Sequence, residues 1–239
     1  MNFDKALKKL ISLKNQNQPL TYSTWPKELY FDSSLVSKLK DLESFTNKEY
    51  FLISKQKGSI GWEYGINGYF LVDTMYFSKP ISGNYSSVST NQRIQVKTKY
   101  DKDKKVYFEL VLDDQVQKSK KYDPDSLGEL FLKHVVTFHT HPKYYHDANT
   151  FQYTFFSMND ILYLLQTNIL VLGLIAGNTI WLACKSSSSK LIPETKLREV
   201  TDLELNGGSK KMIQYIKTNL VEYDIMFYYG SFGGILKKL

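Results

Sequence analysis

A chain of 239 residues with 42% apolar and 15% aromatic content has the material for one large domain with its own core, which excludes disorder over most of its length. Lys and Arg number 31 against 24 Asp and Glu, a net charge of +7. The lysines are scattered without an Arg-rich or aromatic-interleaved run, so nucleic acid is possible as a partner but not favoured. The only cysteine, Cys184, excludes a disulfide framework and reads as a buried, inert thiol. With no signal peptide and no apolar run near the roughly 20 residues a membrane helix needs, the expectation is an intracellular protein, cytoplasmic or nuclear.

Residues 3–14 have the spacing of an amphipathic helix, with Ala6, Leu7, Leu10 and Ile11 on one face. A polar loop covers 15–19 and a short strand 28–31. Asp32-Ser33-Ser34 offers cap chemistry for a helix to about residue 42, carried by Leu35, Val36, Leu39 and Leu42. Residues 50–53 read as a strand, 58–61 as a turn, and 62–77 as one or two strands broken at Gly65 and Gly68. A Ser/Gly/Asn-rich loop occupies 80–91. Segments 93–100 and 105–112 alternate as a hairpin about a charged turn. A helix is expected over 123–133, a buried strand over 135–138, and an irregular aromatic-rich loop over 143–156. Ser157 opens a helix to about residue 166. Residues 169–176 and 179–184 form a hairpin about Gly177-Asn178. A flexible serine break at 186–189 precedes helices at 199–205 and 210–221, and the glycine-rich tail reads as a turn. The order predicts an α+β fold with helices on a largely antiparallel or mixed sheet, and offers no boundary for a second domain.

All four histidines fall between positions 134 and 146. His139 and His141 lie one residue apart at the end of an apolar run, and on a strand residues i and i+2 share a face. Both imidazoles can then reach one ion, and Asp160, at the start of the next helix, can add an oxygen. Two nitrogens, one oxygen and a water make the open arrangement of catalytic zinc. Ser157 and Asp160 also have the spacing of a capping box with Asp in place of Glu, which is compatible with Asp160 facing a metal from the first helical turn.

His139-Thr140-His141-Pro142 followed by Ser157-Met158-Asn159-Asp160, with Glu63-Tyr64-Gly65 upstream, resembles the JAMM (MPN-domain) metalloprotease family over roughly residues 28–185. The segment from Pro142 to Ser157 is eight residues longer than is usual in that family, an addition a loop absorbs at little closure cost. The resemblance implies an MPN-like (cytidine-deaminase-like) fold over 28–185, a central mixed β-sheet flanked by helices, with an N-terminal helix and linker at 1–27 and a C-terminal helical extension at 186–239, in which His139, His141 and Asp160 hold Zn²⁺. It implies Glu63 as the catalytic acid/base, with Glu109 as the alternative, and Ser157 as donor to the oxyanion. Asp147 is a rival oxygen ligand, His146 a candidate extra ligand or substrate contact, and His134 a structural residue. The implied activity is an isopeptidase that removes ubiquitin or a ubiquitin-like modifier from lysine, with a protein partner docking on the terminal helices. The alternatives are a non-catalytic scaffold subunit and a basic nucleic-acid-associated protein.

Overall fold

The computed structural model describes residues 1–53, 64–71, 74–78, 80–82, 94–100, 106–112, 115–117, 133–146 and 149–239. Helix α1 (Phe3–Asn15) starts at Asn2, whose side chain accepts from the Lys5 N–H, and buries Phe3, Ala6, Leu7, Leu10 and Ile11. After the two-residue strand β1 (Glu28–Leu29), Asp32 Oδ1 accepts from Leu35 N–H at 2.7 Å and opens α2 (Ser33–Ile53). The strand expected at 50–53 is instead the end of this helix. No Gly or Pro interrupts residues 33–53, so nothing local stops the helix, and the aromatic and branched residues near its end do not override that.

Strand β2 (Tyr64–Leu71) pairs antiparallel with β3 (Thr74–Phe77), with β4 (Ile81–Ser82) at its start, and with β8 (Lys133–Thr140). Gly65 and Gly68, expected to break the strand, lie inside it. A Cβ on Gly68 would stand 2.3 Å from Val136 Cγ1, so this glycine admits its neighbour on β8 rather than ending the strand. Strands β5 (Ile94–Tyr100), β6 (Val106–Leu112) and β7 (Gln115–Gln117) form a separate antiparallel sheet containing the expected hairpin. The helix expected over 123–133 falls outside the described residues as far as 132, and Lys133 begins β8.

Within the loop expected at 143–156, residues 143–146 and 149–152 are strands. Strands β9 (Lys143–His146) and β10 (Asn149–Gln152) pair antiparallel, His146 opposite Asn149. Helix α3 (Met158–Gln166) then crosses to β11 (Val171–Ala176), which runs parallel to β8. This is the parallel pair of an otherwise antiparallel sheet, and a crossover through a helix is what such a pair requires. Strand β12 (Thr179–Lys185) returns through the turn at Gly177, whose φ of 58° suits a residue without Cβ.

The C-terminal residues are not purely helical. The two helices expected at 199–205 and 210–221 lie in α4 (Glu194–Tyr215) as two helical stretches on either side of Gly208, whose φ of 73° and ψ of 168° are not helical, and a π turn over Ile216–Leu220 continues the second. Strand β13 (Ile225–Ser231) pairs with β12, and β14 (Leu236–Lys238) joins β13 to β1. The apolar run from Ile225 to Tyr228 is buried as a strand, and the turn expected in the tail spans Phe232, Gly233 and Gly234. The serine segment is also tied down. Leu20 N–H donates to Ser187 Oγ at 2.8 Å, and Ser189 Oγ donates to Asp224 O at 2.7 Å.

The main sheet runs β1-β14-β13-β12-β11-β8-β2-β3 and is covered on both faces. One face packs Leu7, Leu10, Leu35 and Leu39 of α1 and α2 against Phe138, Val136 and Leu182. The other packs Ile161, Leu164, Leu197, Met212 and Ile216 of α3, α4 and the π turn against Leu172, Trp181 and Phe227. The fold is thus mixed α+β, a mixed sheet flanked by helices. Among the described residues no helix is long and apolar enough to cross a membrane.

Candidate metal centre

Strand β8 brings His139 to the α3 side of the sheet, and His141 follows directly after its last residue; they are 4% and 6% exposed. Their ring centroids are 5.2 Å apart. Across the sheet, the partner of His139 is Gly65, which sets no side chain directly opposite it. The alternate residue Thr140 faces α2, where it meets Thr46 at 2.7 Å between hydroxyl oxygens.

Asp160 reaches the pair from the first turn of α3. Its Oδ1 lies 3.1 Å from His139 Nε2 and its Oδ2 lies 3.1 Å from His141 Nε2. Ser157 N–H and Ser157 Oγ each donate to Asp160 Oδ2 at 2.7 Å, and Asp160 N–H donates back to Ser157 Oγ at 3.3 Å. The capping box and the carboxylate's approach to the imidazoles are therefore one structure. The fourteen residues between Pro142 and Ser157 do not part these groups. Their hairpin turns back on the ligand strand, with Gln152 Nε2 donating to His141 O at 2.6 Å.

The orientation of His141 is set from behind. Its Nδ1 lies 3.0 Å from the carbonyl oxygen of Tyr153. A carbonyl only accepts, so Nδ1 carries the hydrogen and, in the neutral ring, Nε2 presents its lone pair to Asp160. A lone pair facing a carboxylate at 3.1 Å requires a cation between them, a proton or a metal. Donors about 2.0–2.1 Å from one ion at tetrahedral angles stand about 3.3 Å apart, close to the separations here. The three ligand atoms lie within 4.8 Å of one another. A ring N–H given to a backbone carbonyl is also the usual support of a ligating histidine. The donor set fits a divalent metal.

Burial pushes the Asp160 carboxyl up, but with a proton on the facing imidazole nitrogens the charge and hydrogen bond of His139, with those of His141, overcome this and hold it well below the usual carboxylate range. Asp160 is thus ionised and ready to bind a cation at neutral pH.

Of the other residues singled out, His134 is held by Val136 O (3.2 Å) and Thr137 Oγ1 (2.9 Å) and packs on Tyr69, a structural placement. Cys184 is buried. His146 closes β9, and Glu109 lies in β6. Glu63 and Asp147 lie outside the described residues. Gln152 and Tyr153, which position His141, were missed in the sequence. Tyr153 acts through its carbonyl, which leaves no side-chain signature. No family model, no curated protein and no solved structure matches this chain.

Proposed function

We propose that this protein is a zinc-dependent isopeptidase of JAMM type with an MPN-like fold, acting on ubiquitin or a ubiquitin-like modifier joined to lysine. The observation that carries the reading is the convergence of His139, His141 and Asp160 across a fourteen-residue separation of their two motifs, with His141 held by Tyr153 O. Zinc, when bound, supplies Lewis acidity that polarises a water and the scissile carbonyl. His139, His141 and Asp160 hold it. Glu63, which directly precedes the strand whose Gly65 pairs with His139, takes the proton of the attacking water and returns it to the leaving lysine amine. Ser157, exposed beside the triad, turns its hydroxyl from Asp160 to donate to the oxyanion.

The test is hydrolysis of a panel of ubiquitin-type conjugates together with zinc stoichiometry. Activity should require bound zinc. It should disappear in His139→Ala with loss of the metal, and in Glu63→Gln with the metal retained. Full activity after chelation would overturn the hydrolytic reading. Purified protein that takes up no zinc would favour a scaffold role instead.

A further inference from the structure

At the end of α3 away from Asp160, a cavity of about 330 Å³ opens where the last turn of α1, the end of β12 and the serine segment meet. Two lysines line it, Lys14 in the last turn of α1 and Lys185 at the end of β12. Lys185 is half-buried and donates to Leu164 O at 3.0 Å and to Thr167 O at 2.5 Å, carbonyls at the end of α3. An ammonium has three N–H donors, so one is left over. Among the described residues neither lysine has a carboxylate within ion-pair distance, and no Asp or Glu lines the cavity. Burial pushes the Lys185 ammonium below the usual lysine range, and the charge of Lys14 pushes it further the same way. The carbonyls that end α1 do not offset Lys14, because those of Ser12, Leu13 and Lys14 already accept from the N–H groups of Gln16, Asn17 and Gln18.

A hydroxyl joins the two ammonium groups. Ser187 Oγ accepts from Leu20 N–H at 2.8 Å, and among the described residues its own hydrogen goes to no acceptor. Leu20 and Leu170, both buried, wall the cavity with apolar surface, where charges are less screened than in water. Two uncompensated cations and a spare hydroxyl donor facing one space call for an anion with acceptor oxygens on several sides. A carboxylate brings one charge and two oxygens. A phosphate group brings a charge of about −1.5 to −2 near neutral pH and three free oxygens even when esterified. We propose that Lys14, Lys185 and Ser187 form a phosphate site, for free phosphate or for the phosphate group of a small phosphomonoester. The cavity is at the low end of ligand pockets, which run from roughly 300 to 1,000 Å³, and so suits a small molecule. The site stands apart from the metal centre and does not depend on the hydrolytic reading. Asp160 lies in the first turn of α3, and Lys185 holds the carbonyls of its far end.

Calorimetric titration of the full chain with inorganic phosphate, and in parallel with glycerol phosphate, tests the site. Metal is removed beforehand so that phosphate cannot coordinate at the triad. Each compound should bind saturably at one per chain, and the tighter of the two identifies the source. Lys14→Gln should weaken binding at least about tenfold, the size of one charge-assisted hydrogen bond, while Lys14→Arg keeps most of the affinity. Lys9→Gln removes the same charge from an exposed position of α1 outside the cavity and should bind as wild type does. Melting temperatures of the three variants report on the fold. Absence of saturable binding by both compounds overturns the site, as does wild-type affinity in Lys14→Gln. Equal losses in Lys9→Gln and Lys14→Gln would also overturn it, because net charge alone would then be drawing the anion.

Discussion

Replacing Asp160 by Asn separates its two roles, holding the start of α3 and facing the imidazoles. The amide oxygen can still accept from Ser157 N–H and Oγ, the two 2.7 Å bonds that anchor the cap. The amide NH₂ then falls where Oδ1 lay, 3.1 Å from His139 Nε2, and donates to the lone pair a metal would use. Charge-assisted hydrogen bonds become neutral ones, a difference of about 1 kcal/mol per bond, and the exposure of Ser157 reduces it. The metal-free variant should therefore melt only about 2–4 °C below wild type. Zinc affinity should fall far more. Changes to groups that merely orient a ligand already cost about 10–100-fold, so loss of an anionic ligand should exceed about 100-fold. Calorimetric zinc titration and thermal melts of metal-free protein give the two numbers. Zinc binding by Asp160→Asn within about threefold of wild type would refute the ligand assignment.

Acidification should weaken zinc binding, because protons compete with the metal for its imidazole and carboxylate donors. The depressed carboxyl of Asp160 contributes stability that is present above its ordinary value of about 3.9 and is lost as pH falls through its lower folded value. Zinc competition titrations between about pH 7.5 and 5 check this, and a flat profile would contradict histidine ligation. Gly173→Ala should destabilise the fold by about 1–3 kcal/mol, because the new Cβ would stand 2.2 Å from Phe138 Cδ1 in the core. Adding Phe138→Leu should recover part of the loss in a melt, and an additive double variant would contradict the steric cause.

What the amino-acid order determined by itself was local and periodic. The i, i+2 spacing of His139 and His141 placed both rings on one side, and the Ser157–Asp160 spacing specified a box that the α3 cap adopts. The face of α1 and the hairpin about Gly177 likewise follow from a few neighbouring residues. Tertiary structure decided the rest. It paired residues 143–146 with 149–152 between His141 and Asp160, and buried Ile225–Tyr228 as a strand beside β12. It also chose the carbonyl of Tyr153 to orient His141. Side-chain periodicity reports which face of a segment is apolar. It does not encode which backbone carbonyl, or which strand edge from elsewhere in the chain, will meet that face, because every residue carries the same peptide group.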